Sequence, residues 1–182
     1  MRSILLFTLA GCLLTACSVV TSTNSPGKKA DAFPKEMRGE FELLYPESMR
    51  TMMEGAGSTT VNISATEAIM TTSESVSILK LNDSIVYSTI KKQGFISLGA
   101  APDFTVLKVV SVGKDFELYP MYTDGNESIE DLKKYFSKVE ETVNVEDESG
   151  TKTYKVTIND KSLGKYFDSN IPTKEPFLLK RK

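Results

Sequence analysis

Histidine and tryptophan are absent from the 182 residues, and cysteine occurs only twice, at Cys12 and Cys17. Without histidine the chain lacks the side chain that titrates nearest neutral pH. Ser-His-Asp and Cys-His catalysis are therefore excluded, along with the commonest metal ligand. No Walker-type loop and no GxGxxG run occurs, so the usual phosphate and dinucleotide cradles are missing as well. Ser-Lys and paired-carboxylate mechanisms survive these absences. The chain also lacks an excess of positive charge: 22 Lys and Arg stand against 24 Asp and Glu. That balance argues against nucleic acid, whose binding needs basic patches that displace counterions.

What is present begins at the N terminus. Met1-Arg2-Ser3 is followed by an apolar run from Ile4 to Leu14 and then by Thr15-Ala16-Cys17. One positive charge, a short apolar run and a small-residue cleavage site form a secretory signal peptide. The run is too short for a membrane-spanning helix, which needs about 20 apolar residues. Leu14-Thr15-Ala16-Cys17 resembles the lipobox of bacterial lipoproteins. The resemblance implies cleavage before Cys17, diacylglycerol on its sulfur and a fatty acyl group such as palmitate on its new amine. Residues 1–16 would then be the signal peptide and Cys17 the lipidation site. Several buried acyl chains, at about 0.8 kcal/mol per CH₂, hold a protein on a membrane stably. Leu9-Ala10-Gly11-Cys12 fits the same pattern, but cutting there leaves only Ile4 to Thr8, below the usual apolar length of about 7–15 residues.

Removing the leader takes away Arg2 and no acid, so 21 bases and 24 acids remain. It also leaves Cys17 as the sole cysteine, already modified, so neither a disulfide nor a thiolate metal site is expected. Ser18 stands where enteric lipoproteins carry aspartate for inner-membrane retention, which implies the outer membrane. Val19 to Lys29 contains no acid, unlike the cluster of surface-exposed lipoproteins in Bacteroidota. In such an organism that departure would face the domain into the periplasm.

Residues 18–32 are rich in Ser, Thr, Asn, Gly and Lys. Such a stretch buries too little apolar surface to fold, so 17–32 reads as a lipidated flexible tether and 33–182 as one domain. Within that domain Phe41, Leu43 and Tyr45 alternate with Glu40, Glu42 and Leu44, as a half-buried strand requires. Further strands are expected at 59–64, 68–72, 76–81, 85–90, 95–98, 104–112 and 116–122, with a tight hairpin at Asn82-Asp83. Pro46 to Glu54 suits a short helix. Ser128 caps a longer helix on which Ile129, Leu132, Phe136, Val139 and Val143 share a face. Tyr154, Val156 and Ile158 alternate in another strand. Asn159-Asp160 then turns, Leu163, Tyr166 and Phe167 form a short apolar segment, and Phe177-Leu178-Leu179 makes a last strand. The pattern gives an all-β fold, an antiparallel barrel or sandwich with one amphipathic helix packed on it. Gly39-Glu40-Phe41 resembles the opening of lipocalin-type barrels, which usually carry tryptophan where Phe41 stands. That resemblance implies a barrel interior open to ligand binding.

The candidate functional residues are few. Glu40 and Glu42 share a strand face about 7 Å apart, a spacing that glycosidase carboxylates use, although a solvent face opposite Phe41 and Leu43 has the same pattern. Glu127, Glu130, Asp131 and Glu146 to Glu148 lack EF-hand spacing, so no metal site is expected. Met49, Met52 and Met53, with Met37 and Met70, form a methionine-rich set that suits packing or an apolar ligand, since thioethers fill irregular gaps. Asp83-Ser84-Ile85 resembles the O-glycosylation site of Bacteroidota, which would place a glycan on Ser84. Lys28-Lys29 and Lys180-Arg181-Lys182 read as solubilising clusters. These features together suggest a non-enzymatic envelope lipoprotein without a cofactor, held on the membrane through Cys17. Its expected role is an accessory subunit contacting other envelope proteins; the alternative is a carrier of a small apolar ligand. A carrier needs an apolar cavity of several hundred Å³ that opens to solvent. An assembly subunit needs a filled interior and an exposed apolar patch.

Overall fold

The computed structural model describes residues 19–50, 57–121, 129–143, 152–171 and 175–182. Strands dominate, and the all-β expectation holds: a curled, mostly antiparallel sheet forms a half-barrel with small helices against it. The half-barrel consists of β3 (Gly39–Leu44), β4 (Thr59–Ile63), β5 (Glu67–Thr71), β6 (Val76–Lys80), β7 (Ile85–Ile90), β8 (Gln93–Ala100), β9 (Asp103–Val112), β10 (Asp115–Pro120) and β13 (Phe177–Arg181). Its order runs β7-β8-β9-β10-β13-β3-β4-β5-β6, each pair antiparallel. The seam lies between β6 and β7. Asn82 turns there with φ of 64°, and its N–H donates to Ile85 O at 2.7 Å. The tight hairpin expected at Asn82-Asp83 does not form, because the two strands share a single parallel bridge, Leu81 to Ile85, and diverge.

Each half-barrel strand points one set of side chains inward. Phe41 and Leu43 of β3, Val61 and Ile63 of β4 and Ala68 and Met70 of β5 meet in a first apolar cluster inside the curl. Strands β7 to β10 are buried on both faces. Tyr87, Ile96, Leu107 and Leu118 face that first cluster, while their neighbours Val86, Phe95, Val106 and Tyr119 face a second one on the outside. The second cluster is completed by α2 (Ile129–Lys133), the strands β11 (Val139–Val143) and β12 (Lys152–Val156), and α3 (Asp160–Asn170).

Three stretches depart from the sequence reading. Residues 19–32, expected as a flexible tether, are built into the sheet: β1 (Val19–Ser22) pairs parallel with β12 and antiparallel with β9, and β2 (Lys28–Lys29) pairs with β7. Val20 is fully buried, Asn24 bonds both the N–H and the C=O of Ile158, and Ala30 N donates to Tyr87 O. One buried valine and a run of backbone hydrogen bonds hold a segment whose composition is polar. The helix expected through Val143 stops at Lys133, with Leu132 and Phe136 still buried. Val139 to Val143 is β-branched at three of five positions and pairs with β12 instead. The apolar segment around Leu163 is the longest helix described, at 11 residues, and not an irregular stretch. Asn159 accepts from Ser162 N at 2.9 Å while its own N–H donates to Ser162 Oγ at 3.1 Å, a capping box that satisfies two donors at once.

One end of the half-barrel is closed by the chain that precedes β3. Phe33 N donates to Ala65 O, and the Arg38 guanidinium donates twice to Phe33 O at 3.0 and 2.8 Å. A 3₁₀ turn at Lys35–Met37 carries Met37 into the first cluster. From β13, Arg181 lies over the Phe41 ring, 4.5 Å from its centroid, and donates to Arg38 O and Glu36 O. Gly39 makes this approach feasible: its φ is 132°, and a Cβ there would fall 2.6 Å from Arg181 Nη1.

Candidate functional site

Inside the curl lies an apolar cavity of about 80 Å³. Every strand of the half-barrel contributes to its wall, including Val61, Met70, Leu79, Ile96 and Leu179, and Phe33 of the closing segment lines it as well. Among the lining side chains only Thr105 carries a polar atom. The wall is apolar because inward positions on nine strands alternate with outward ones, and the sequence fills the inward set with Val, Ile, Leu, Met and Phe. A site of this kind favours hydrocarbon and offers no group that could move a proton. The volume is well below the roughly 300 Å³ of pockets that enclose a whole small molecule, so it suits the end of a chain or a small apolar group.

Three polar side chains of β7, β9 and β10 are held by packing or pairing. Tyr87 projects from β7 against Phe33, with ring centroids 6.0 Å apart. Its hydroxyl passes close over Gly94, where a Cβ would come within 2.5 Å. Burial, aided by the negative charge of Glu36, raises the Tyr87 pKa. On the outer face Tyr119 donates to Glu117 at 2.8 Å; burial first, then this hydrogen bond and the carboxylate charge push its pKa up to about 12. Both phenols stay neutral at physiological pH. Lys108 is buried under α3, 3.4 Å from Asp168 Oδ1 and 5.9 Å from the Phe167 ring centroid, and so ties the helix to the sheet.

Cys17, Met52 and Met53 fall outside the described residues. Met49 lies on α1 (Glu47–Arg50) and packs half-buried against the first cluster, in which Met37 and Met70 are buried. α1 is held by Glu175, whose carboxylate accepts from Ser48 N at 3.1 Å and Ser48 Oγ at 2.9 Å. Of the methionine set, the structure brings Met70 to the cavity wall. Ser84 is half-buried in the turn after β6, where its Oγ accepts from Lys80 N at 3.0 Å. Glu40 and Glu42 point away from the interior, Glu40 pairing with Lys182 at 3.1 Å and Glu42 standing opposite Lys180. That is the solvent-face arrangement, with no cleft between the two acids. Glu130 and Asp131 pair with Lys133 and Lys134, and Glu127 and Glu146 to Glu148 lie outside the described residues. Among the described residues no group of three or more potential metal ligands converges.

Alternation in the sequence marks Phe41 and Leu43 of β3 as inward, but it does not pick out the lining residues of the other strands. What alternation could not show is that these strands share one interior, because register and curl come from distant pairings. No protein-family profile, curated protein or solved structure matches this chain.

Proposed function

We propose that this chain is a lipid-anchored envelope protein that binds a small apolar group, such as the end of an alkyl chain, in the interior of its half-barrel. The observation that carries the reading is the cavity, whose exposed lining is entirely apolar. The apolar lining supports a binding role for hydrocarbon. Attachment through lipid on Cys17, and an outer-membrane location facing the periplasm, rest on the lipobox resemblance and on Ser18.

The test is thermal unfolding of the protein with straight-chain fatty acids of increasing length. Binding to the folded state raises Tm by mass action, about 2.7 kcal/mol at a ligand concentration 100 times Kd. Ala68 lines the cavity, and Ala68→Leu fills it. The expected result is a shift in Tm with at least one chain length, lost in Ala68→Leu. Absence of any shift across the series would sink the reading.

A second reading is supported by a separate feature. β6 ends the sheet, and two of the three large hydrophobic side chains most exposed among the described residues, Val76 at 64 % and Ile78 at 55 %, stand on it. An open edge with outward apolar side chains is an unusual liability in a protein that stays alone. It favours an accessory role in an envelope assembly. Ile78→Lys should then abolish co-purification of partners while leaving fatty-acid binding intact.

A further inference from the structure

The two lysine pairs that are far apart in sequence come together on one end of the fold. β2 lies on β7 with Lys28 opposite Thr89 and Lys29 opposite Ser88. Two residues beyond Thr89 the β7–β8 turn places Lys91 and Lys92 between Ile90 and Gln93. Gly27 permits this proximity: at φ of 61° it brings the chain so close that a Cβ would lie 2.4 Å from Thr89 O. The β9–β10 turn is on the same side, since Gly94 pairs with Val109 and the turn follows at Val112 and Asp115. That turn adds Lys114 and the exposed Val112, 48 % accessible. It also joins the closing segment, because Arg181 Nε donates to Lys114 O while its other nitrogens hold Arg38 O and Glu36 O.

The charge at this end is unbalanced. Lys28, Lys29, Lys91, Lys92 and Lys114 are all exposed, and none is paired with an acid among the described residues. Three acids lie near this end, fewer than the five lysines: Asp160 accepts from Gly27 N, Asp115 accepts from Arg181 N, and the exposed Glu36, whose backbone carbonyl accepts from Arg181, acts on Tyr87. The chain as a whole carries more acid than base, so this concentration runs against its composition. Lys91 and Lys92 also adopt φ of 47° and 72°, the left-handed region that a two-residue hairpin turn requires and that Asn-Gly satisfies best. Lysine at both positions trades turn stability for charge at the tip.

We propose that this closed end docks on a bilayer of anionic phospholipid, with the five lysines at the headgroups and Val112 dipping among them. The domain then rests against the membrane and does not float on a stalk. Exposed lysines around an apolar side chain suit this surface: the cations meet the negative surface potential while the apolar group leaves water. The inference is independent of what the half-barrel cavity holds.

Because the chain contains no tryptophan, Val112→Trp gives it a single fluorescent reporter at this surface. The full chain carrying this change is incorporated into vesicles of phosphatidylcholine alone and of phosphatidylcholine mixed with phosphatidylglycerol. Membrane attachment through the N terminus is common to both, so the environment of the reporter, and not binding itself, is read. The expected result is a blue shift and quenching by brominated acyl chains only with phosphatidylglycerol, reversed by high salt. Ile78→Trp, on the β6 edge, should show neither. Replacing Lys91-Lys92 by Asn-Gly removes two charges and suits the turn, so the fold is retained. It should lower the equilibrium constant for docking roughly 25-fold, about fivefold per lysine. An unshifted reporter with phosphatidylglycerol, or an equal shift on both vesicles, would overturn the proposal.

Discussion

Removing the guanidinium of Arg181 tests the closure of the half-barrel. This side chain stacks 4.5 Å from the centroid of Phe41, donates to Arg38 O at 2.9 Å, and also donates to Glu36 O. The hydrogen bonds to Arg38 O and Glu36 O contribute about 1.5–3 kcal/mol each and the ring contact roughly 0.5–2 kcal/mol, while the exposed third bond, from Nε to Lys114 O, adds little. Fixing the long side chain offsets about 2 kcal/mol of this. Arg181 is half-buried, which pulls the net toward the low end, so Arg181→Ala should cost about 2–3 kcal/mol. For a domain of this size each kcal/mol moves Tm by about 2–4 °C, so the expected drop is roughly 4–12 °C. Arg181→Lys keeps a cation near the ring but cannot span both carbonyls, and should recover about half of the loss. The Gly39 geometry supplies an internal check. Gly39→Ala introduces a Cβ 2.6 Å from Nη1 and strains a backbone at φ of 132°. Arg181→Ala removes the clash and leaves the strain, so Gly39→Ala should cost less in that background. Urea and thermal unfolding of the four proteins measure the cycle. A loss under about 0.5 kcal/mol for Arg181→Ala, or strict additivity with Gly39→Ala, would refute the closure argument.

Three further outcomes follow from the same geometry. Ser88 Oγ and Ser97 Oγ are buried and have no hydrogen-bond partner, so Ser97→Ala should be neutral or raise stability by about 1 kcal/mol in denaturant titration. Asn159→Ala removes the capping box of α3 and should cost about 1 kcal/mol, with faster amide exchange in the first turn of that helix. Tyr119 has a folded pKa of about 12 against an ordinary 10.0, so the fold favours its neutral form. Its contribution is complete below pH 10 and is lost as pH rises from 10 through 12. Tyr119→Phe should therefore flatten the alkaline decline of the urea midpoint; an unchanged slope would show that other groups govern it.

Much of the strand layout was legible in the sequence. Ile85–Ile90 is legible with its observed bounds, and Phe104–Val112 to within one residue, because each is a β-rich run bounded by turn residues. Phe41 and Leu43 are legible as inward, and Glu40 and Glu42 as their outward counterparts, because polar and apolar residues alternate there. The helical spacing of Leu132 and Phe136 was real, yet Val139 and Val143 continued it only by coincidence of period. β12 offered those two a ladder that no local rule contains.

The sequence by itself determined the apolar stretches and the absence of histidine chemistry, since each is a property of the residues present and their neighbours. The tertiary structure alone decided that Val20 is core, that nine strands curl around one cavity, and that Lys28 and Lys29 lie beside Lys91 and Lys92. Those outcomes depend on which remote backbone edges pair. That choice minimises exposed apolar surface and unpaired polar backbone over the whole chain at once, so no single window of sequence contains it.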